Sequence, residues 1–189
     1  MKDKKIKALP IQVFYTSKEE TNCPLIPDLL RIVKKLKQKK ILQNKKGATI
    51  SFTYGKRMLI NSIVQDFSNI KREELLEIAD YDPVKNNLLI IGKADPKIES
   101  TLHFMIHHAR EDIKVIVQIK NDELLEKIKN KIPILDEKLP INSIEFIKKV
   151  LKELKNSKII GIKNNGIMFV GKKIDEIESI ITRFYEEKK

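Results

Sequence analysis

The stretch Lys114-Val115-Ile116-Val117-Gln118-Ile119 is the most apolar β-branched run of the chain, and it constrains the fold more than any other segment. β-Branched residues favour the extended backbone, and a continuous rather than alternating apolar run is the pattern of a strand buried on both faces. Such a strand needs helices above and below it. The surrounding chain supplies them. Leu29, Leu30, Ile32, Val33 and Leu36 follow a helical period after Pro27-Asp28, and further helices are predicted from Pro96 to about Arg110 and over 122–129, 141–155 and 173–187. A short helix is also predicted over Lys71 to Leu76.

Strands and turns fill the intervals. Ala48 to Tyr54 alternates and turns at Gly55-Lys56-Arg57 into Met58-Leu59-Ile60, while Glu77 to Asp82 pairs with Leu88 to Ile91 across Pro83 to Asn87. A third pair, Ile159 to Lys163 and Ile167 to Val170, flanks Asn164-Asn165-Gly166, and Gln43 to Gly47 reads as a turn. Helices alternating with hairpins predict a three-layer α/β/α sandwich around a mixed, mostly antiparallel sheet. The length of 189 residues suits one domain, drawn here as 27–189, preceded by a basic extension, 1–26, whose one strand-like piece is Ile11 to Tyr15.

The net charge of +12 raises the question of nucleic acid. Its distribution argues against it, because the lysines are interleaved with glutamates as on solvated helix faces, and aromatic residues make up only 6% of the chain. The Lys-, Glu- and Ile-rich usage without tryptophan resembles that of heat-adapted proteins. No apolar run reaches the roughly 18 residues of a membrane span, and the start lacks the pattern of a signal peptide, so a cytoplasmic protein is expected. Cys23 is the sole cysteine and reads as a small buried residue.

All three histidines, His103, His107 and His108, fall in one predicted helix. Glu99, His103 and His107 are spaced by four and share a helix face, which two imidazoles could use to hold a metal. No further nitrogen or sulfur ligand stands nearby, so the expected arrangement is an ordinary helix. Its buried stripe is Leu102, Met105, Ile106 and Ala109, with His103 and His107 flanking it.

In sequence order, Pro96 to His103, Ala109-Arg110-Glu111-Asp112-Ile113 and Val115-Ile116-Val117 resemble the P-S-x-E-x-x-L-H, A-R-x-D-I/V and A-V-V-H-x-H segments of the class II aldolase and adducin family. Lys163-Asn164-Asn165-Gly166 resembles its N-H-G turn, Ala48 to Ser51 its G-N-I-S, and Met58 to Ser62 the start of its L-I-T-P-S-G. The resemblance spans about residues 27 to 185. It implies a zinc ion held by H-x-H and N-H-G, a glutamate acid/base at Glu99, substrate contacts at Thr49, Ser51, Asn61 and Ser62, and a homo-oligomer, often a tetramer.

At the zinc-ligand positions stand Gln118, Lys120 and Asn165, which are poor replacements for imidazole. The small residues ending L-I-T-P-S-G are Ile63 and Val64, and no tyrosine lies between Tyr81 and Tyr185 to act as the family's acid. The expectation is a metal-free binding or structural homo-oligomer with no cofactor, no membrane and no nucleic-acid partner. The alternatives are an active lyase or epimerase on a phosphorylated sugar, or a basic protein associated with nucleic acid. Lys120 is expected to pair with Glu99 in place of the metal's charge and, if desolvated, is a candidate Schiff-base amine.

Overall fold

A computed structural model describes residues 10–42, 47–64, 66–67, 69–136 and 138–186. The start of the basic extension, the turn at 43–46 and the charged end at 187–189 lie outside the described residues. The elements run β1 (Gln12–Ser17), α1 (Ile26–Gln38), β2 (Ala48–Tyr54), β3 (Arg57–Asn61), β4 (Leu75–Asp82), β5 (Asn87–Ile91), α2 (Glu99–Ala109), β6 (Val115–Ile119), α3 (Asp122–Ile128), β7 (Ile134–Leu135), α4 (Ile144–Glu153), β8 (Ile159–Ile162), β9 (Gly166–Gly171) and α5 (Ile174–Glu186). The strands form one sheet in the order β1-β5-β4-β3-β2-β6-β9-β8-β7. Among the described strands only the outermost pairs, β1 with β5 and β7 with β8, are parallel. The interior pairings are antiparallel, so the sheet is mixed and mostly antiparallel as expected.

β6 lies between β2 and β9, and all five of its residues are buried. Val115, Val117 and Ile119 enter the core shared with α1, α3 and α5, while Ile116 points into the one shared with α2 and α4. This is why the run is apolar on both faces. A third cluster joins β3, β4 and β5 to Phe104 of α2. At about 25 cal/mol per Å² of apolar surface, these layers supply the main driving force for the fold.

Two local expectations change. Lys71 to Leu76 holds only a single 3-10 turn, Arg72–Glu74, because Leu75 already belongs to β4 and both Leu75 and Leu76 are buried in the sheet. On α2, Leu102 and Ile106 are buried, but Ala109 is exposed and Met105 half-buried, whereas His103 and His107 are in the interior. The histidines can be buried because the sheet beneath them offers polar partners. β1 pairs with β5 from Gln12 to Ser17, so this part of the first 26 residues is an edge strand of the sheet. Farther on, Thr21 donates a hydrogen bond to the buried carboxylate of Glu77, which also accepts from Tyr54 and Arg57 and ties the segment before α1 to the sheet. Among the described residues no helix is long and apolar enough to cross a membrane.

Candidate functional site

Along β2, Ile50 and Phe52 point toward α1, so the alternation of a strand turns Thr49 and Ser51 to the opposite, α2 side. On β6 the same alternation places Gln118 there. Thr49, Ser51 and Gln118 therefore lie on the side of α2, a helix that carries three histidines, two of them buried. His103 Nε2 donates to Gln118 Oε1 (3.0 Å), and Gln118 Nε2 donates to the carbonyl of Asn165 (2.9 Å). His107 Nδ1 donates to the carbonyl of Ile113 (3.0 Å). Ser51 Oγ lies 2.9 Å from both His103 Nδ1 and His107 Nε2.

Proton counting decides what this chain can hold. Both ends are carbonyl oxygens, so each imidazole must place its proton outward and turn a lone pair toward Ser51. The single Ser51 proton then serves only one of the two contacts. The neutral chain is one proton short of full hydrogen bonding. Burial nevertheless holds His103 down to about 4 and His107 to about 3, with the bonds to Gln118 and Ile113 opposing the shift. His108 is exposed and stacks on Phe104, with ring centroids 5.9 Å apart.

The turn between β8 and β9 fixes the other side of the site. Asn164 and Gly166 have φ of 63° and 87°. A Cβ on Gly166 would lie 2.0 Å from the carbonyl oxygen of Ile119, so only glycine lets the turn press against the end of β6. That contact sets Asn165 beside Gln118.

Where β6 ends and α2 begins, a cleft of about 540 Å³ opens, lined by Thr49, Lys97, Glu99 and Lys120 together with apolar Ile63 and Phe67. Lys120 Nζ lies 2.6 Å from Glu99 Oε1, the lysine side chain 45% exposed and the glutamate 4%. Burial pushes the Glu99 carboxyl up, but the Lys120 hydrogen bond, its own backbone N–H and the charges of Lys120 and Lys97 outweigh it and hold the group below the usual carboxylate range. Lys97 Nζ donates to the carbonyl of Ala48 (2.9 Å) and to Thr49 Oγ1 (3.5 Å) and lies 5.9 Å from the centre of the Phe67 ring. Burial lowers its pKa to about 8, opposed by Glu99 and assisted by Lys120. The cleft thus contains two cations and one anion.

Of the positions singled out in the sequence, Glu99, Lys120 and Thr49 meet in this cleft. Ser51 is committed to the histidines. Asn61 accepts from Ile50 N (2.7 Å) and donates to the carbonyls of Ala48 (3.1 Å) and Ser62 (3.0 Å). Buried Ser62 donates from its backbone to Glu74 O (2.8 Å). Lys97 escaped the sequence reading. Its signal was a lysine between Pro96 and Glu99, two residues before α2 rather than within the helix expected from Pro96.

As a donor set for zinc these residues fit poorly. Both polar atoms of the Gln118 amide are already bonded, Lys120 is engaged as an ammonium by Glu99, and His103 and His107 face Ser51 rather than the cleft. Among the described residues no group of three or more His, Cys, Asp or Glu side chains is placed to share an ion.

No curated protein matches the chain in sequence. Several solved structures share its fold. An L-fuculose 1-phosphate aldolase superposes with a TM-score of 0.68 at 15% identity, over 89% of this chain and 86% of that one. The L-fuculose-1-phosphate aldolase of Thermus thermophilus gives 0.66 at 17% identity, over 86% and 90%. The N-terminal class II aldolase domain of a conserved protein from Thermoplasma acidophilum gives 0.62 at 13% identity, over 90% and 96%. The pattern of the Class II Aldolase and Adducin N-terminal domain matches residues 28–125, which run from α1 through β6 into α3 and include Thr49, Lys97, Glu99 and Lys120. On that match, and with the sheet and helix order just described, this chain belongs to the class II aldolase and adducin N-terminal domain family.

Proposed function

We propose that this protein uses the aldolase cleft without zinc, as a binding site for a small anionic carbonyl compound such as a phosphorylated sugar, in a homo-oligomer. The observation that carries the reading is the 2.6 Å Lys120–Glu99 pair, which puts a fixed ammonium at a position where the family resemblance implies a metal ligand. An ammonium is a point charge with three donors and suits a phosphate or carboxylate oxygen. Lys97 adds a second cation, Thr49 a hydroxyl, and Ile63 and Phe67 an apolar wall for the carbon skeleton. Zinc-assisted aldol cleavage is not part of this reading, because Gln118, Lys120 and Asn165 do not form a zinc donor set. Ile63 and Ile98 at the cleft are 69% and 45% exposed, which supports a neighbouring subunit covering this edge.

Calorimetric titration with dihydroxyacetone phosphate, in the presence and absence of zinc, tests the reading. Saturable binding is expected, weakened at least tenfold in Lys120→Met and unaffected by zinc. Binding that requires zinc, or none at all, would overturn it.

A further inference from the structure

Resting on the binding reading above, we propose that Lys97 is an imine-forming amine, which condenses with the carbonyl carbon of a ketone whose anionic group is held in the cleft by Lys120. Three features of the site support this role. Lys97 is half-buried, and its amine lines a cleft of about 540 Å³, where an incoming ligand can meet it. Its bonding partners are neutral, a carbonyl on β2 and the Thr49 hydroxyl, with the Phe67 ring alongside. Glu99 is occupied by Lys120 at 2.6 Å, so the two lysines are differentiated: the exposed, ion-paired Lys120 serves as the cation, and the half-buried Lys97, with neutral partners, can give up its proton. This reverses the expectation from the sequence, in which Lys120 was the candidate amine.

Among the described residues, the charged groups acting on Lys97 are Glu99 at the start of α2 and Lys120 after β6. Burial is the largest influence and Lys120 adds to it, and together they outweigh Glu99 and bring the amine to about 8. An ordinary lysine titrates near 10.4, so at neutral pH the free-amine fraction of Lys97 is on the order of 100-fold larger.

The step balances without an external oxidant or reductant. After Lys97 loses a proton to solvent, its lone pair forms the N–C bond, and the C=O electron pair moves to oxygen, which takes a proton. Loss of a second nitrogen proton gives the carbinolamine, protonation and departure of its hydroxyl as water leave the iminium, and loss of the last nitrogen proton leaves the neutral C=N. The net change is amine plus ketone giving imine plus one water. Hydride from added cyanoborohydride reduces the iminium form to a stable secondary amine.

The test incubates the full chain at pH 7.5 with pyruvate or dihydroxyacetone phosphate and cyanoborohydride, followed by peptide mass mapping. Wild type is expected to carry one adduct, on the peptide holding Lys97, formed at least tenfold faster than at any other lysine. Lys97→Arg, which keeps the charge, should lose it. Adduct with pyruvate alone would assign a carboxylate ligand, and with dihydroxyacetone phosphate alone a phosphate. Labelling spread over surface lysines, or unchanged in Lys97→Arg, would overturn the inference. Saturable calorimetric binding without the adduct would overturn it while leaving the binding reading intact; absence of both binding and adduct would overturn the two together.

Discussion

Shifting the protein from pH 7.5 to pH 5.0 is expected to cost about 3 kcal/mol of folding stability, assigned to His103 and His107. Both imidazoles have folded pKa values, about 4 and about 3, below their ordinary 6.5. Their neutral-state stability is therefore complete above pH 6.5 and lost as the pH falls toward those folded values, because the unfolded chain takes up protons first. Two such sites over 1.5 pH units set a ceiling near ~4 kcal/mol. The expected value is lower because the chain through Ser51 is one proton short, and the first proton added completes a hydrogen bond. Carboxylates held below their usual range, Glu99, Asp112 and Glu176 among them, lose their contribution at lower pH, chiefly below about 5. Urea unfolding at the two pH values checks the loss. A free energy that is flat across this interval would mean that the imidazoles are not buried as described.

Lys97→Met and Lys120→Met should change stability in opposite directions. Lys97 is half-buried with a pKa lowered to about 8, so the unfolded chain binds more protons between that value and the ordinary lysine range. The cost of holding it charged is full below pH 8, shrinks as the pH rises above it and is gone near 10.5. Replacing it by an apolar side chain of similar length is expected to stabilise the fold at pH 7 by about 2 kcal/mol, an advantage that fades above pH 8. Lys120 is half exposed but holds a carboxylate that is almost fully buried. Its loss leaves Glu99 without its closest counter-charge and should destabilise by about 2 kcal/mol, below the 3–5 kcal/mol of a fully enclosed pair because solvent screens this one. Thermal melts of both variants from pH 7 to 10 measure the two effects. Equal melting temperatures for wild type and Lys120→Met would show that the pair is not coupled.

Much of the architecture was legible because it rests on periodicity. The run at Val115–Ile119 announced a strand covered on both faces, and the hairpin turns announced the antiparallel interior of the sheet. The errors have a common physical source, since sequence spacing reveals which residues share a face but not what that face meets. His103 and His107 were placed beside the buried stripe, yet they are interior because Ser51 and Gln118 project toward them from strands distant in sequence. The same limit hid Lys97, whose environment comes from Ala48, Phe67 and Lys120. The Lys120–Glu99 pair, by contrast, could be anticipated, because the resemblance aligned both residues on one cleft before any distance was known.

The proposed function has the Lys120–Glu99 pair standing where the family resemblance implies a metal. Its most direct test is elemental analysis of the tag-free protein, incubated with zinc and then freed of excess. The account expects substoichiometric metal and no change in melting temperature on adding chelator. Near-stoichiometric zinc that is lost, together with stability, in Gln118→Ala or Asn165→Ala would contradict it.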